Sequence, residues 1–211
     1  MTTESLEIIT NTESKLISTQ LILFVCTGNI CRSPYMEFYF RQLLSSLNLP
    51  NIEVVSAGTS YMPEHHVAEQ MAKILQGQGI ETDAFRSQPL TKSLVKHANL
   101  IITAEVAHRA AVLEFYPRAH AKVFTLLQAN RLLEHAKQTD KQANSKRPID
   151  SITLLMASAR GLAGPGNYIT DSVPDPWRCP TQVYQDSVDL MSGPLERLAL
   201  EISHQNWDLT D

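Results

Sequence analysis

Three residues of this chain can do chemistry together: Cys26, Arg32 and Asp175. A cysteine thiolate is a nucleophile. A guanidinium presents a planar fork that holds two oxygens of a phosphoryl group. Five residues, Gly28 among them, separate Cys26 from Arg32, so both can face one small loop. Successive backbone N–H groups in such a loop, followed by the free N–H groups of a helix start, make a cradle for an anion. Electropositive surroundings of that kind favour a thiolate at Cys26, and a thiolate beneath a phosphoryl group is set for in-line attack. The loop lacks the G-x-x-x-x-G-K-[ST] pattern of nucleotide-binding phosphate loops. An oxygen leaving group departs from phosphorus far more easily when protonated, which calls for a carboxylic acid within reach. Val173-Pro-Asp-Pro-Trp177 supplies Asp175, and the flanking Pro174 and Pro176 restrict its backbone. Asp171 lies close by but outside the Asp-Pro pattern.

The flanking elements must hold these groups in place. Residues 21–25 are an apolar run that reads as a buried parallel strand ending at Cys26. Ser33 as N-cap and Pro34 as first helical residue predict a helix whose inner face carries Met36, Phe40, Leu43, Leu44 and Leu47. Residues 52–58, 99–103 and 121–125 read as three further strands. Helices are predicted over 63–78, 91–97 (Leu94 and Val95 inward), 105–115 and 126–137. Alternation of this kind implies an α/β fold: a four-stranded parallel sheet with helices on both faces, doubly wound. Ligands in such folds bind beyond the carboxyl ends of the strands, where the strand order reverses, and Cys26 sits at such an end. After Asp175, the residues Val183, Leu190 and Met191 predict an apolar helical face. Gly193-Pro194 is expected to kink or break it before it resumes over 195–202, as two short helices or one bent one.

The 211 residues suit a single domain over 19–211, preceded by a polar extension at 1–18. An insertion at about 138–169 holds one short amphipathic helix with Ile152, Leu155, Met156 and Ala159, capped at Asp150 or Ser151. It reads as a surface ornament, or as a lid from its place just before Asp175. A net charge of −4 argues against nucleic-acid or anionic-membrane binding, and no run approaches membrane-spanning length. Three cysteines, Cys26, Cys31 and Cys179, and no apolar leader segment point to a reducing, cytoplasmic setting without a disulfide framework. Neither His65-His66 nor Cys26 with Cys31 has a second ligand pair at metal-binding spacing, so neither a metal nor an organic cofactor is expected. Glu105 and Arg109 have the spacing of a solvated i,i+4 pair.

Val-Cys-Thr-Gly-Asn-Ile-Cys-Arg-Ser-Pro at the first strand resembles the low-molecular-weight protein tyrosine phosphatases. Ser56-Ala-Gly-Thr59, Gly79-Ile80, Arg86, Leu90-Thr91 and residues 98–103 follow as that family's landmarks in order, so the likeness covers approximately 20–137 and 170–204. The resemblance implies Cys26 as nucleophile, Arg32 as phosphate clamp and Asp175 as general acid and then base. It also implies that Thr27, Gly28, Asn29, Ile30, Cys31 and Ser33 bind the phosphate. Asn29 would hold the loop's shape and Ser33 would donate to the thiolate. Tyr61 and Trp177 would wall the aromatic slot, with Trp177 standing where the family often has tyrosine. Cys31 would form a reversible disulfide with Cys26 under peroxide, unless it is simply a thiol buried in the turn. Cys179 has no counterpart. The implied activity is hydrolysis of phosphotyrosine on a protein partner through a cysteinyl-phosphate, by a monomer or weak dimer. Arsenate reduction and phosphoarginine hydrolysis are the alternatives on this fold. Relatives with the second preference carry threonine at the position of Ile30. An inactive phosphopeptide-binding module is the third alternative.

Overall fold

The computed structural model describes residues 19–49, 51–139, 145, 147–164, 166–167 and 169–205; the expected extension at 1–18 lies outside them. Four strands form one parallel sheet in the order β2-β1-β3-β4: β1 (Gln20–Cys26), β2 (Ile52–Gly58), β3 (Leu100–Thr103) and β4 (Val123–Thr125). The chain passes from β1 to β2 on one side and then returns to β3 on the other. The order therefore reverses at β1, whose last residue, Cys26, pairs in register with Gly58.

Alternate side chains of the strands feed two cores, as a sheet covered on both faces requires. Ile22, Phe24, Leu100, Ile102 and Phe124 point to one face, and Leu23, Val25, Ala57, Ile101 and Val123 to the other. The first face is covered by α1 (Arg32–Ser46), α2 (Glu69–Gly77), α5 (Leu126–Gln138), α6 (Pro148–Ala159) and α7 (Thr181–Ser203). The second is covered by α3 (Lys92–His97), which Thr91 caps through Leu94 N–H, and α4 (Val106–Phe115).

Several boundaries differ from the sequence expectation. The helix expected over 63–78 begins only at Glu69. Its would-be first turns are spent elsewhere, since Met62 N–H donates to Gly28 O and Ala68 N–H to Ile30 O. β4 is shorter than 121–125 because a 3-10 turn, Pro117–Ala121, runs up to it. Leu43 of α1 and Leu47 just past its end are only partly buried, and so is Leu94 of α3.

The helix expected as a surface ornament packs into the core. This helix, α6, starts at Pro148 with Arg147 as N-cap, while Asp150 accepts from Asn99 Nδ2 and Ser151 donates to Ser145 O. Ile149, Ile152, Met156 and Ala159 are fully buried against α5, α7 and the sheet. Three large side chains at about 2 kcal/mol each make this helix part of the core. Beyond its end, Arg160 donates to His120 O and Val123 O and stacks on the Phe124 ring, covering the outer edge of β4.

Gly193-Pro194 does not break the last helix: α7 runs unbroken through both. Proline inside a helix costs about 3 kcal/mol, which the burial of Met191, Leu195, Leu198, Ala199 and Ile202 outweighs. Leu190 turns outward and is 42% exposed, contrary to expectation, and Val183 is only partly buried.

Candidate active site

The loop that leaves β1 turns its carbonyls outward. Cys26 O, Thr27 O, Gly28 O and Ile30 O accept from the amides of Thr59, Ser60, Met62 and Ala68. None of the amides from Gly28 to Arg32 is taken by another backbone carbonyl among the described residues. A peptide plane whose carbonyl faces its neighbours turns its N–H the other way, toward the concave side of the loop. Close approach is what makes the stitching possible: a Cβ on Gly58 would stand 2.5 Å from Thr27 O. That position tolerates only glycine.

Asn29 holds the turn with a left-handed backbone (φ 55°) and a side chain bonded on three sides. Its Nδ2 donates to Ser33 Oγ (2.9 Å) and Ser56 Oγ (2.8 Å), and its Oδ1 accepts from Gln88 N–H (2.8 Å). Ser56 Oγ passes its proton toward Glu37 Oε2, 2.5 Å away. Burial raises the Glu37 carboxyl, while the Ser56 bond and Arg41 pull it back down. Since Ser33 Oγ accepts from Asn29, its own proton is free for Cys26 Sγ at 2.9 Å.

Ser33 is therefore not the helix cap that its position suggested. α1 begins at Arg32, two residues before the expected Pro34, with Cys31 as N-cap and no side-chain capping bond. The Ser33 hydroxyl is committed to the loop instead, and the free amides of the first turn face the same hollow.

Arg32 is 1% exposed and its guanidinium is held from three directions. NH1 pairs with Glu105 and donates to Val173 O, and NH2 lies 2.9 Å from Asp175 Oδ2. Its Nε is buried without a partner among the described residues. A buried, unmatched N–H on a cation is costly, and an oxyanion in the loop would satisfy it.

The structure thus brings Cys26, Arg32 and Asp175 to one place at the carboxyl end of the sheet. Asp175 itself is 45% exposed and accepts from Trp177 N–H at 3.2 Å. Trp177 is 36% exposed beneath the Arg178 guanidinium, and Tyr61, 37% exposed, rides the segment stitched to the loop. Ile30 is buried in the loop. Asp171 lies apart from this cluster, paired with Arg131.

Two residues on the adjoining end of β3 complete the site, and sequence reasoning missed both. Glu105 occupies the N-cap position of α4 without a side-chain capping bond and turns its carboxylate to Arg32, while Arg109 Nε donates to Val123 O. His108, one turn into α4 and 4% exposed, holds Thr27 Oγ1 at 2.8 Å through Nε2. Burial, and then the Arg32 charge, push this histidine down to about 4. The signal was available, because the segment after β3 leaves the same sheet edge as the Cys26 loop.

All three cysteines are free thiols. Cys31 is buried and accepts from Tyr184 Oη; burial, then the charges of Cys26 and Asp175, push it up to about 12. Cys179 sits half-exposed beside the Asp175 and Trp177 carbonyls. His66 Nδ1 faces Arg86 NH1 at 2.9 Å, and no cluster of three or more His, Cys, Asp or Glu able to hold a metal ion occurs among the described residues.

Comparison with known proteins agrees with this geometry. The family model for low molecular weight phosphotyrosine protein phosphatase matches residues 21–143, ending before the Asp175 loop. A Protein-arginine-phosphatase of Geobacillus stearothermophilus is 37% identical over 107 residues, 51% of this chain and 69% of the relative. The low molecular weight protein-tyrosine-phosphatase Ptp of Acinetobacter johnsonii is 32% identical over 105 residues, covering 50% and 70%. Among solved structures, the YwlE arginine phosphatase of Geobacillus stearothermophilus superposes with a TM-score of 0.62 at 27% identity, covering 87% of this chain and 92% of its own.

Proposed function

This chain belongs to the low molecular weight phosphotyrosine protein phosphatase family, and on that premise we propose that it hydrolyses phosphotyrosine in a partner protein. The observation that carries the reading is the Arg32 guanidinium, buried beneath a loop of unspent amides with Cys26 and Asp175 beside it. The phosphoryl group sits in the loop from Thr27 to Ser33, its oxygens on the amides and on Arg32 Nε and NH2. Cys26 Sγ attacks phosphorus in line, its charge steadied by the Ser33 hydroxyl. Asp175, protonated, gives its proton to the departing tyrosine oxygen, and Tyr61 and Trp177 flank the ring. A cysteinyl-phosphate remains. Asp175, now ionised, takes a proton from water as the water attacks phosphorus, releasing inorganic phosphate and restoring the thiolate.

Phosphoarginine hydrolysis is the second reading, favoured by the names of two similar proteins. Against it stands Ile30, an apolar side chain at the loop position where the family resemblance implies threonine for that preference. Three free thiols, and no helix among the described residues long and apolar enough to cross a membrane, support a cytoplasmic setting. The single catalytic domain over 19–211 acts as a monomer or weak dimer.

The test is turnover of p-nitrophenyl phosphate and of matched phosphotyrosine and phosphoarginine peptides by the wild type and Cys26→Ser. Phosphotyrosine preference that vanishes with the thiol is expected. Preference for phosphoarginine would overturn the substrate assignment, and activity in Cys26→Ser would overturn the mechanism.

A further inference from the structure

The segment carrying Asp175 is clamped just upstream, and the insertion supplies part of the clamp. Arg131, on α5, places NH2 against both carboxylate oxygens of Asp171, at 3.2 and 3.0 Å. Its NH1 donates to Ala163 O (3.2 Å) and Gly164 O (2.9 Å) in the loop that follows α6. One guanidinium therefore ties together the helix from which the insertion departs, the insertion's own last loop and the approach to Asp175. Asp171 is buried, and its N–H is taken by Asn167 O at 3.0 Å. The chain closes over the pair at Gly166, where a Cβ would fall 1.9 Å from Asp171 Oδ2 and 2.3 Å from Arg131 NH2. A side chain there would have to displace the carboxylate or the guanidinium.

Little freedom remains between this clamp and the acid. Ser172 Oγ accepts from Val106 N–H (3.2 Å), Val173 N–H donates to Ala104 O (2.8 Å) and Val173 O accepts from Arg32 NH1 (2.9 Å). Pro174 O accepts from Ser187 Oγ (3.2 Å), and Pro174 and Pro176 fix their own φ angles on either side of Asp175. Hydrogen bonds therefore hold residues 171–174 one after another up to Asp175.

We propose that Arg131, through Asp171, is a positioning residue that sets where Asp175 delivers its proton, so that the insertion serves the reaction by closing this clamp. The proposal rests on the reading of Asp175 as general acid. Arg131 touches no reacting atom; its effect passes entirely through the loop.

Leaving-group dependence separates this role from general support of the fold. An aryl phosphate with a poor leaving group, such as phenyl phosphate, needs the acid, whereas 2,4-dinitrophenyl phosphate does not. Values of kcat/KM for both substrates are to be measured for the wild type, Arg131→Met, Arg131→Lys, Asp175→Asn and the Arg131→Met/Asp175→Asn double variant, with melting temperatures alongside. Arg131→Lys keeps the charge and tests the fork if Arg131→Met does not fold. Loss of the clamp is expected to lower kcat/KM for phenyl phosphate about 10–100-fold, to leave dinitrophenyl phosphate nearly untouched, and to add nothing once Asp175 is asparagine. Equal losses on both substrates, no loss on either, or full additivity in the double variant would overturn the proposal. If Asp175→Asn itself shows no leaving-group dependence, the acid assignment falls, whatever Arg131 does.

Discussion

Asp175 Oδ2 lies 2.9 Å from Arg32 NH2, so the carboxylate of the acid occupies a face of the guanidinium that an incoming phosphoryl group also needs. An oxyanion and an ionised Asp175 compete for one cation. Asp175→Asn is therefore expected to act in two directions. It lowers kcat/KM for phosphotyrosine peptide by about 10²–10⁴-fold and tightens binding of inorganic phosphate about fivefold, the scale of one partly screened charge pair. Calorimetric titration with phosphate checks the second effect; weaker binding in the variant would contradict the shared-cation picture.

Glu105 holds the other side of Arg32, and the pair is nearly buried, with side chains 1% and 14% exposed. Glu105→Gln leaves a buried cation with one carboxylate fewer, a loss of about 3 kcal/mol for a buried pair broken on one side. Urea unfolding is expected to show a lower midpoint at unchanged slope. A surface pair of the kind first suggested by Glu105 and Arg109 would cost less than about 1 kcal/mol, so the size of the effect decides between the two.

Asn29 combines a left-handed backbone with bonds to Ser33, Ser56 and Gln88. Asn29→Ala loses the bonds and strains the turn; Asn29→Gly loses the bonds alone. Both variants are expected to lose activity, with Asn29→Ala melting lower than Asn29→Gly. Equal melting temperatures would mean that the backbone conformation contributes nothing.

His108 sets an acid limit on stability. Its folded value, about 4, lies below the ordinary 6.5, because burial and Arg32 oppose the imidazolium. The unfolded chain thus binds a proton that the folded one refuses as pH falls from 6.5 to about 4, and stability drops over that window before levelling off. Above pH 6.5 both states are neutral and the group contributes nothing. Unfolding free energies at about pH 7 and about pH 5 are expected to differ by about 2 kcal/mol more in the wild type than in His108→Asn. An identical pH dependence in the variant would remove His108 as the cause.

Composition and spacing were enough to announce the parallel sheet, because a buried strand is a local run of apolar side chains and a loop before a helix is a local pattern. The cysteine, arginine and glycine of the first loop belong to the same local grammar. Ser33 shows where such reading errs: a hydroxyl at a helix start is usually a cap, yet here Asn29 and Cys26 outbid the helix amides for it. The insertion errs in the same way, since amphipathic periodicity reveals that α6 has an apolar face but not whether that face meets solvent or core.

What the residues offered alone is the set of candidate groups: a thiol, a guanidinium and a carboxyl confined between prolines. What only the tertiary structure decided is their company. Glu105 and His108 reach Arg32 and Thr27 across 73 and 81 residues of chain, and Asp175 reaches Arg32 from the far end of the sequence. No spacing rule encodes such contacts, because they arise where separate strands end at one edge of a sheet. The charges there choose partners by distance in space, and chain order has no say in that.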